Sequence, residues 1–355
     1  MTFLIAAAGT GGHVFPGLAV GEALRSRGVS PEDILFVGGD RLEATIYPGA
    51  GFPFLGLELR GLQRSLTVRN LSLPRVVWRA RDLIATRMLE RGVKVALGMG
   101  GYVTVPAALA SRRARVPLLI AEQNAAAGLA NRIASRWAVR SFISFPDTPG
   151  LERGEWVGNP VRQALVGFDR GLLRPEALAR YDLESTRPVL GVFGGSLGAA
   201  PINAEVARVA ETWRGEPIQI LHLTGEGELT ATSSSSVTWR RKSFEERMEL
   251  FYAASDLAVA RAGGGVAELT VTGTPSILVP GRFGSSGHQA LNAAFLEKAG
   301  AAVVLSQDRI GELARLVEEL LFSEERLAVM KTGALDIAKP EAAMTIANAM
   351  LEIAR

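Results

Sequence analysis

The chain has 355 residues, more than one ordinary core holds, and its 48% hydrophobic and 21% charged content excludes a disordered protein; two domains of roughly 150 to 200 residues each are expected. Cysteine is absent, which rules out disulfides, thiolate metal sites and cysteine nucleophiles, and the three histidines (His13, His222, His288) leave little for a histidine-built metal site. The net charge of +3 is unevenly shared, with 19 basic and 12 acidic residues up to Gly158 and 20 and 24 after it, so the first half is the candidate for an anionic partner.

Residues 2–8 are apolar, too short and too uncharged at their start for a signal peptide. Thr2 to Ala8 therefore reads as a buried strand. The turn Gly9-Thr10-Gly11-Gly12-His13 follows, then helical spacing from Pro16 to Arg27 with Gly28 as C-cap. Asp33 to Val37 is the next strand, ending in Gly38-Gly39-Asp40, and the alternation continues through Phe52 to Leu59 and a helix from about Leu73 to Arg91. Strand Val93 to Leu97, turn Gly98-Met99-Gly100-Gly101, helix Val105 to Arg113 and strand Pro117 to Ala121 complete a pattern that demands a parallel sheet covered on both faces.

Pro and Gly cluster from Pro146 to Pro160, where a linker is expected. The alternation then restarts: strand Pro188 to Phe193, turn Gly194-Gly195-Ser196-Leu197-Gly198, helix Ala200 to Thr212, and strands Ile218 to Leu223 and Leu257 to Ala260. Another glycine turn, Arg261 to Gly265, leads into a short helix from Val266 to Thr272 and strand Ser276 to Val279. Helices near Ala290 to Ala299, Ile310 to Leu321 and Glu324 to Leu335 close the second core, and Glu341 to Ala354 forms a last helix able to pack on either domain. No stretch reaches the roughly 18 apolar residues of a membrane span.

Each glycine turn joins a strand to a helix, which gathers open backbone N–H groups and the positive end of a helix dipole at one point and attracts phosphate. A dinucleotide fingerprint starting at Gly9 fails, because Val14 stands where its last glycine is needed. His13, beside such a turn, suits a general base or hydrogen-bond donor, and equally a satisfied histidine at a helix start. Ser196 offers a hydroxyl and an N–H to a phosphate oxygen, or is part of a plain loop. In Ala262 to Glu268 three glycines admit a ligand to the backbone while Glu268 suits a ribose, although a solvated helix glutamate has the same spacing. His288, Gln289 and Asn292 offer groups that read sugar hydroxyls. Glu122-Gln123-Asn124 follows a strand's carboxyl end, where open sheets place ligands, and Arg162 at the linker suits a phosphate.

From Arg60 to Lys94, nine basic residues stand against Asp82 and Glu90 among many apolar ones. A face of Leu73, Val77, Ala80, Ile84 and Met88 is ordinary packing; the remainder fits either a patch dipping into an anionic membrane surface or a solvated basic helix. Sparse aromatics and the lack of a recognised motif argue against nucleic acid.

Gly9 to Pro16, Gly98-Met99-Gly100-Gly101-Tyr102, Glu122-Gln123-Asn124, Gly158-Asn159-Pro160-Val161-Arg162 and Gly194 to Ala199 resemble, in order and spacing over essentially the whole chain, the MurG family of peptidoglycan glycosyltransferases. The resemblance implies a GT-B fold, two Rossmann-like doubly wound parallel-sheet domains facing a cleft. Residues 1–158, with a C-terminal helix of about 341–355, would take lipid I (undecaprenyl-pyrophosphoryl-N-acetylmuramoyl-pentapeptide) and the membrane; residues 159–340 would bind UDP-N-acetylglucosamine. The sugar would pass with inversion to the acceptor's 4-hydroxyl, giving lipid II and UDP at the cytoplasmic face of the cell membrane. By similarity Thr10, Gly11, Gly12, Asn124, Arg162 and Ser196 contact the donor, Glu268 the ribose, Gly263, Gly264 and Gly265 the diphosphate-sugar, Gln289 the N-acetylglucosamine hydroxyls, and the Phe244 backbone the uracil. Gly100, Gly101 and Tyr102 fall on the acceptor-diphosphate side. The family often carries paired glutamines where this chain has His288-Gln289. Helix N-termini with Arg162 can meet the departing UDP, so neither a catalytic Mg²⁺ nor another cofactor is expected, and His13 is the candidate base. Rival readings are a glycolipid-forming transferase or a UDP-N-acetylglucosamine 2-epimerase on the same fold, and a non-catalytic nucleotide-sugar sensor or membrane scaffold.

Overall fold

The computed structural model describes residues 1–58, 73–195, 198–225, 231–281 and 287–355. The chain divides into two compact units, Met1–Gln163 with Pro340–Arg355, and Ala164–Lys339.

In the first unit β1 (Thr2–Ala6), β2 (Ile34–Gly38), β3 (Phe54–Gly56), β4 (Val93–Gly98), β5 (Leu118–Glu122), β6 (Ala138–Ile143) and β7 (Glu155–Trp156) pair in parallel in the order β3-β2-β1-β4-β5-β6-β7. The connections include α1 (Gly11–Ser26), α2 (Leu42–Gly49), α3 (Leu73–Glu90), α4 (Thr104–Ala114) and α5 (Leu129–Ala134). Successive strand residues point to opposite faces, so each strand feeds two cores. Phe3, Ile5, Ala7, Val95 and Leu97 join α1's Val14, Val20 and Leu24, while Leu4, Ala6, Ala8 and Ala96 join Ala80, Ile84 and Met88 of α3 and Ala107 and Ala108 of α4. Burial on both faces explains why these strands read as unbroken apolar runs.

The second unit repeats the plan. It holds α6 (Arg170–Tyr181), β8 (Val189–Phe193), α7 (Ala200–Thr212), β9 (Ile218–Leu223), β10 (Val237–Lys242), α8 (Met248–Ala254), β11 (Leu257–Ala260), α9 (Val266–Val271), β12 (Ser276–Leu278), α10 (His288–Lys298), β13 (Ala302–Val304), α11 (Leu313–Leu321) and α12 (Glu324–Asp336). Its sheet is parallel, ordered β10-β9-β8-β11-β12-β13. In both sheets the order reverses beside the unit's first strand, and the loops leaving β1 and β4, or β8 and β11, flank the crevice where doubly wound sheets take ligands. The final helix, α13 (Ala342–Ala354), packs on the first unit, with Ile346, Ala347 and Met350 in the core beneath α1.

Two expectations are corrected. The first helix begins at Gly11 rather than Pro16: only Gly9, at φ +110°, turns, Thr10 caps, and Pro16 lies inside the helix. The Pro146 to Pro160 stretch is not wholly a linker, because Glu155 and Trp156 pair with Phe142 and Ile143 as an edge strand. The segments α2, α5, α6, α8, β6, β10 and β13 are elements not assigned from the sequence; α8, with Leu250 to Ala254 all buried, has no polar face to reveal it.

Ile346 is fully buried in the core shared with α1. Ile346→Ala is expected to lower the stability of the first unit by about 2–5 kcal/mol, read as a lower urea midpoint at unchanged m-value.

Candidate active site

At the first sheet's crevice the loop after β1 meets the loop after β4. His13 sits in the first turn of α1, and its Nδ1 lies 2.8 Å from Gln123 Oε1. The ring rests against the β4 loop: a Cβ on Gly100 (φ +90°) would stand 3.0 Å from its Cε1, and one on Gly101 (φ +76°) would stand 2.3 Å from the Ala8 carbonyl oxygen. Only glycine permits both approaches. The Gly11 and Gly12 N–H groups start α1 with no partner among the described residues, and Thr10 caps it without a side-chain hydrogen bond. These are the open donors an anion would meet.

Two buried carboxylates hold these loops. Glu43, on α2, accepts from the N–H groups of Gly9 (3.5 Å) and Gly39 (2.9 Å) and from the Tyr102 hydroxyl (3.1 Å). Burial, then Glu43's negative charge, pushes the Tyr102 hydroxyl well above its ordinary range, so Tyr102 stays a protonated donor. Its hydroxyl is thereby committed to the loop scaffold. Glu122 accepts from the N–H and Nδ2 of Asn124, the N–H of Gly128 and Nδ2 of Asn131. Asn124 is thus positioned at the carboxyl end of β5. Arg162 stacks over Phe15 of α1, 4.5 Å from the ring centre.

In the second unit the turn after β8 is as tight. A Cβ on Gly194 would come within 2.4 Å of the Ala199 nitrogen, and one on Gly198 within 2.3 Å of the Thr224 oxygen. Ser196 lies outside the described residues. Asn203 of α7 ties this turn to β9, donating to the Thr224 carbonyl at 2.8 Å and placing Oδ1 3.1 Å from His222 Nε2. Burial, helped by the Arg241 guanidinium, pushes His222 down to about 4, so it is neutral at pH 7. Beyond β10, Glu245 is buried and accepts from Lys242, Arg180, Tyr181 and the Arg247 N–H. Its burial would raise the carboxyl, but these donors outweigh it and hold it at about 2. The anchored turn leaves Phe244 exposed, its backbone N–H and carbonyl without partners among the described residues. A donor beside an acceptor matches the edge of a pyrimidine imide.

After β11, Glu268 on α9 accepts from the buried Tyr252 hydroxyl at 2.8 Å. Gly263 leaves open space ahead of it, and a Cβ on Gly265 would sit 3.0 Å from the Phe193 ring. Gln289 accepts from the Gly281 N–H at 2.7 Å, so its Nε2 is the group left to read a sugar hydroxyl. Asn292 is corrected: it is fully buried and donates to the Ala262 carbonyl, fastening α10 to the glycine turn rather than facing a ligand. His288 opens α10.

The sequence reading missed Glu43, Asn131, Glu245 and Arg261. Arg261 has a visible signal, a cation directly ahead of the glycine run at a strand's end. Its guanidinium is half-buried, donates to the Val279 carbonyl and pairs with no carboxylate among the described residues. The other three are legible only from the loops they hold.

Of the basic segment Arg60 to Lys94, residues 60–72 lie outside the described ones. On α3, Ala80, Ile84 and Met88 are buried and Val77 is half-buried, whereas Trp78, Leu83 and Leu89 are 52%, 42% and 66% exposed. Arg81 stacks on Trp78 at 3.8 Å, and Arg75, Arg79 and Arg87 are exposed on the same helix. No described helix is long and apolar enough to cross a membrane.

Comparison with known proteins follows the same division. A family model described as the glycosyltransferase family 28 N-terminal domain matches residues 3–143, and one described as the glycosyltransferase family 28 C-terminal domain matches residues 189–347. A protein of Salinibacter ruber is 39% identical over 99% of this chain and 96% of its own length, and one of Halorhodospira halophila is 38% identical over 99% and 98%. Both are named UDP-N-acetylglucosamine–N-acetylmuramyl-(pentapeptide) pyrophosphoryl-undecaprenol N-acetylglucosamine transferase. Among solved structures, MurG of Acinetobacter baumannii superimposes with a TM-score of 0.77 at 26% identity over 99% of both chains.

His222 makes the second unit acid-sensitive. The unfolded chain takes up its proton near pH 6.5 and the folded one only near 4, so stability is complete above the first value and is lost as pH falls toward the second, by on the order of 3 kcal/mol. Urea titrations at pH 7 and pH 4.5 should show this loss in the wild-type chain and a smaller one in His222→Leu.

Proposed function

The chain belongs to glycosyltransferase family 28, and from that membership we infer that it transfers N-acetylglucosamine from UDP-N-acetylglucosamine to lipid I, producing lipid II and UDP. The observation that favours transfer over mere binding of a nucleotide sugar is His13, held through one ring nitrogen at the mouth of a glycine-lined loop. A binding scaffold has no use for a histidine so placed.

The second unit supplies the donor contacts in this reading. The unpaired Phe244 backbone takes the uracil edge and Glu268 the ribose hydroxyls. Ser196 and the glycines Gly263, Gly264 and Gly265 receive the diphosphate and sugar, and Gln289 donates through Nε2 to a sugar hydroxyl. Arg261 offers its half-buried charge to the same anion. From the first unit, Thr10, Gly11, Gly12, Asn124 and Arg162 contact the donor, while Gly100, Gly101 and Tyr102 shape the acceptor side, Tyr102 by holding Glu43 rather than by touching the ligand.

The acceptor's 4-hydroxyl oxygen attacks the anomeric carbon from the face opposite the phosphate, the new C–O bond forms as the C–O bond to UDP breaks, and the configuration inverts. His13 takes the hydroxyl proton. The negative charge that develops on the departing UDP is met by backbone N–H groups at helix starts and by arginine, donors already oriented before reaction.

The exposed face of α3 and its arginines fit an anionic lipid surface, which would place the enzyme peripherally at the cytoplasmic face of the membrane. Trp78 supplies an amphipathic ring and Arg75, Arg79 and Arg87 the attraction to lipid charge.

Two measurements test this. His13→Ala should lower kcat by about 10²–10⁴-fold with the KM for UDP-N-acetylglucosamine changed little; unchanged turnover removes the base. In sedimentation with phosphatidylglycerol vesicles, Arg75→Gln with Arg79→Gln should weaken binding about tenfold or more, at roughly 1 kcal/mol per arginine, and vesicles lacking anionic lipid should bind weakly.

A further inference from the structure

The contact that organises His13 involves a residue that so far has no role in the reaction. Gln123 is 2% exposed and both ends of its amide are engaged: Nε2 donates to the Ala121 carbonyl at 2.9 Å, and Oε1 lies 2.8 Å from His13 Nδ1. The first bond settles the orientation of the amide, because reversing it would set oxygen against the Ala121 carbonyl oxygen. An amide oxygen accepts and cannot donate. The proton between the two side chains therefore belongs to His13 Nδ1, and the lone pair of the neutral ring is on Nε2.

We propose that Gln123 is the positioning residue of this enzyme: through its hydrogen bond to Nδ1 it selects the Nδ1–H tautomer of His13 and fixes the ring plane, so that Nε2 is the atom that takes the acceptor's proton. The proposal rests on the reading of His13 as the base. In water a free imidazole does not hold this tautomer by itself, and a ring that changed tautomer would present a donor to the hydroxyl instead of an acceptor. The ring lies beside the β4 loop, where a Cβ on Gly100 would stand 3.0 Å from Cε1 and 3.1 Å from Nδ1, and one on Gly101 3.6 Å from Cδ2.

A neutral amide differs from a carboxylate here. Gln123 fixes the tautomer without placing a negative charge on the ring, which would favour imidazolium, a form unable to accept a proton. The charged or titratable groups on the surrounding elements are Glu43 of α2, Glu122 of β5, Tyr102 ahead of α4 and Arg162 over Phe15. Glu43 is taken up by Gly9, Gly39 and Tyr102, and Glu122 by Asn124, Gly128 and Asn131. α1 itself has no acidic residue in its first turn.

The test separates this proposal from the one it rests on. Long-range proton–nitrogen NMR of the full chain labelled with ¹⁵N-histidine reads the tautomer directly, His13 being assigned among the three histidines by the signals lost in His13→Ala. The wild-type ring should carry its proton on Nδ1 at pH 8, and Gln123→Met should shift the population toward Nε2–H. The same variant should lower kcat on the order of tenfold, less than His13→Ala does, with the KM for UDP-N-acetylglucosamine within about twofold. Gln123→Glu keeps the accepting oxygen and adds a charge, so it should retain the Nδ1–H signal and move the acidic limb of kcat/KM up by about one pH unit; this variant carries the test if Gln123→Met fails to fold. An Nε2–H wild-type ring, or a Gln123→Glu profile superimposable on the wild-type one, overturns the proposal even where His13→Ala is inactive. A correct tautomer with a fully active His13→Ala overturns the base instead.

Discussion

Two loops leaving neighbouring parallel strands approach so closely in the first unit that a single methyl group would separate them. A Cβ at Gly101 would lie 2.3 Å from the Ala8 oxygen, and the second unit has the same constraint between Gly198 and the Thr224 oxygen. The first follows from the strand order, because β1 and β4 send their connections in opposite directions and leave a crevice beyond the carboxyl edge; the second lies between the loops after β8 and β9, consecutive strands joined by α7. A side chain at these positions would push the helix starts apart and lose the row of open N–H groups with them.

Crowded loops need fastening, and buried carboxylates do it. Glu43 and Glu122 are held by neutral donors, chiefly backbone N–H groups and amides. Glu245 instead gathers Lys242 and Arg180. Burying a carboxylate is costly unless its oxygens are satisfied, so each of these residues locks several chain segments into one arrangement. The loops can then present Gly9 to His13, Asn124 and Phe244 in fixed positions while remaining loops.

The surfaces away from the crevices follow a different rule. α3 buries Ala80, Ile84 and Met88 and leaves Trp78 and Leu89 exposed together, with Leu83 exposed on another side, on a helix that already has a core. In a helix serving only its own unit the exposed Trp78 and Leu89 would be polar, and Arg75, Arg79 and Arg87 stand exposed on the same helix.

Much was legible from the chain alone. Unbroken apolar runs ending in glycine announced strands buried on both faces, and their repetition announced two parallel sheets; five spaced motifs pointed to the family. Those features are local, set by what each few residues can bury or turn. What depended on tertiary structure is everything decided by residues distant in sequence. Periodicity could not show that Gly11 and Gly12 belong to a helix rather than a turn, because the cap is defined by Thr10 conformation and not by residue type. Spacing could not separate Gln289, whose Nε2 has no partner among the described residues, from Asn292 three positions on, which donates to Ala262. The bond between His13 and Gln123 spans 110 residues, and only the pairing of β5 with β4 and of β4 with β1 brings the amide to the imidazole, since a hydrogen bond is decided by distance and angle and leaves no periodic trace in the chain.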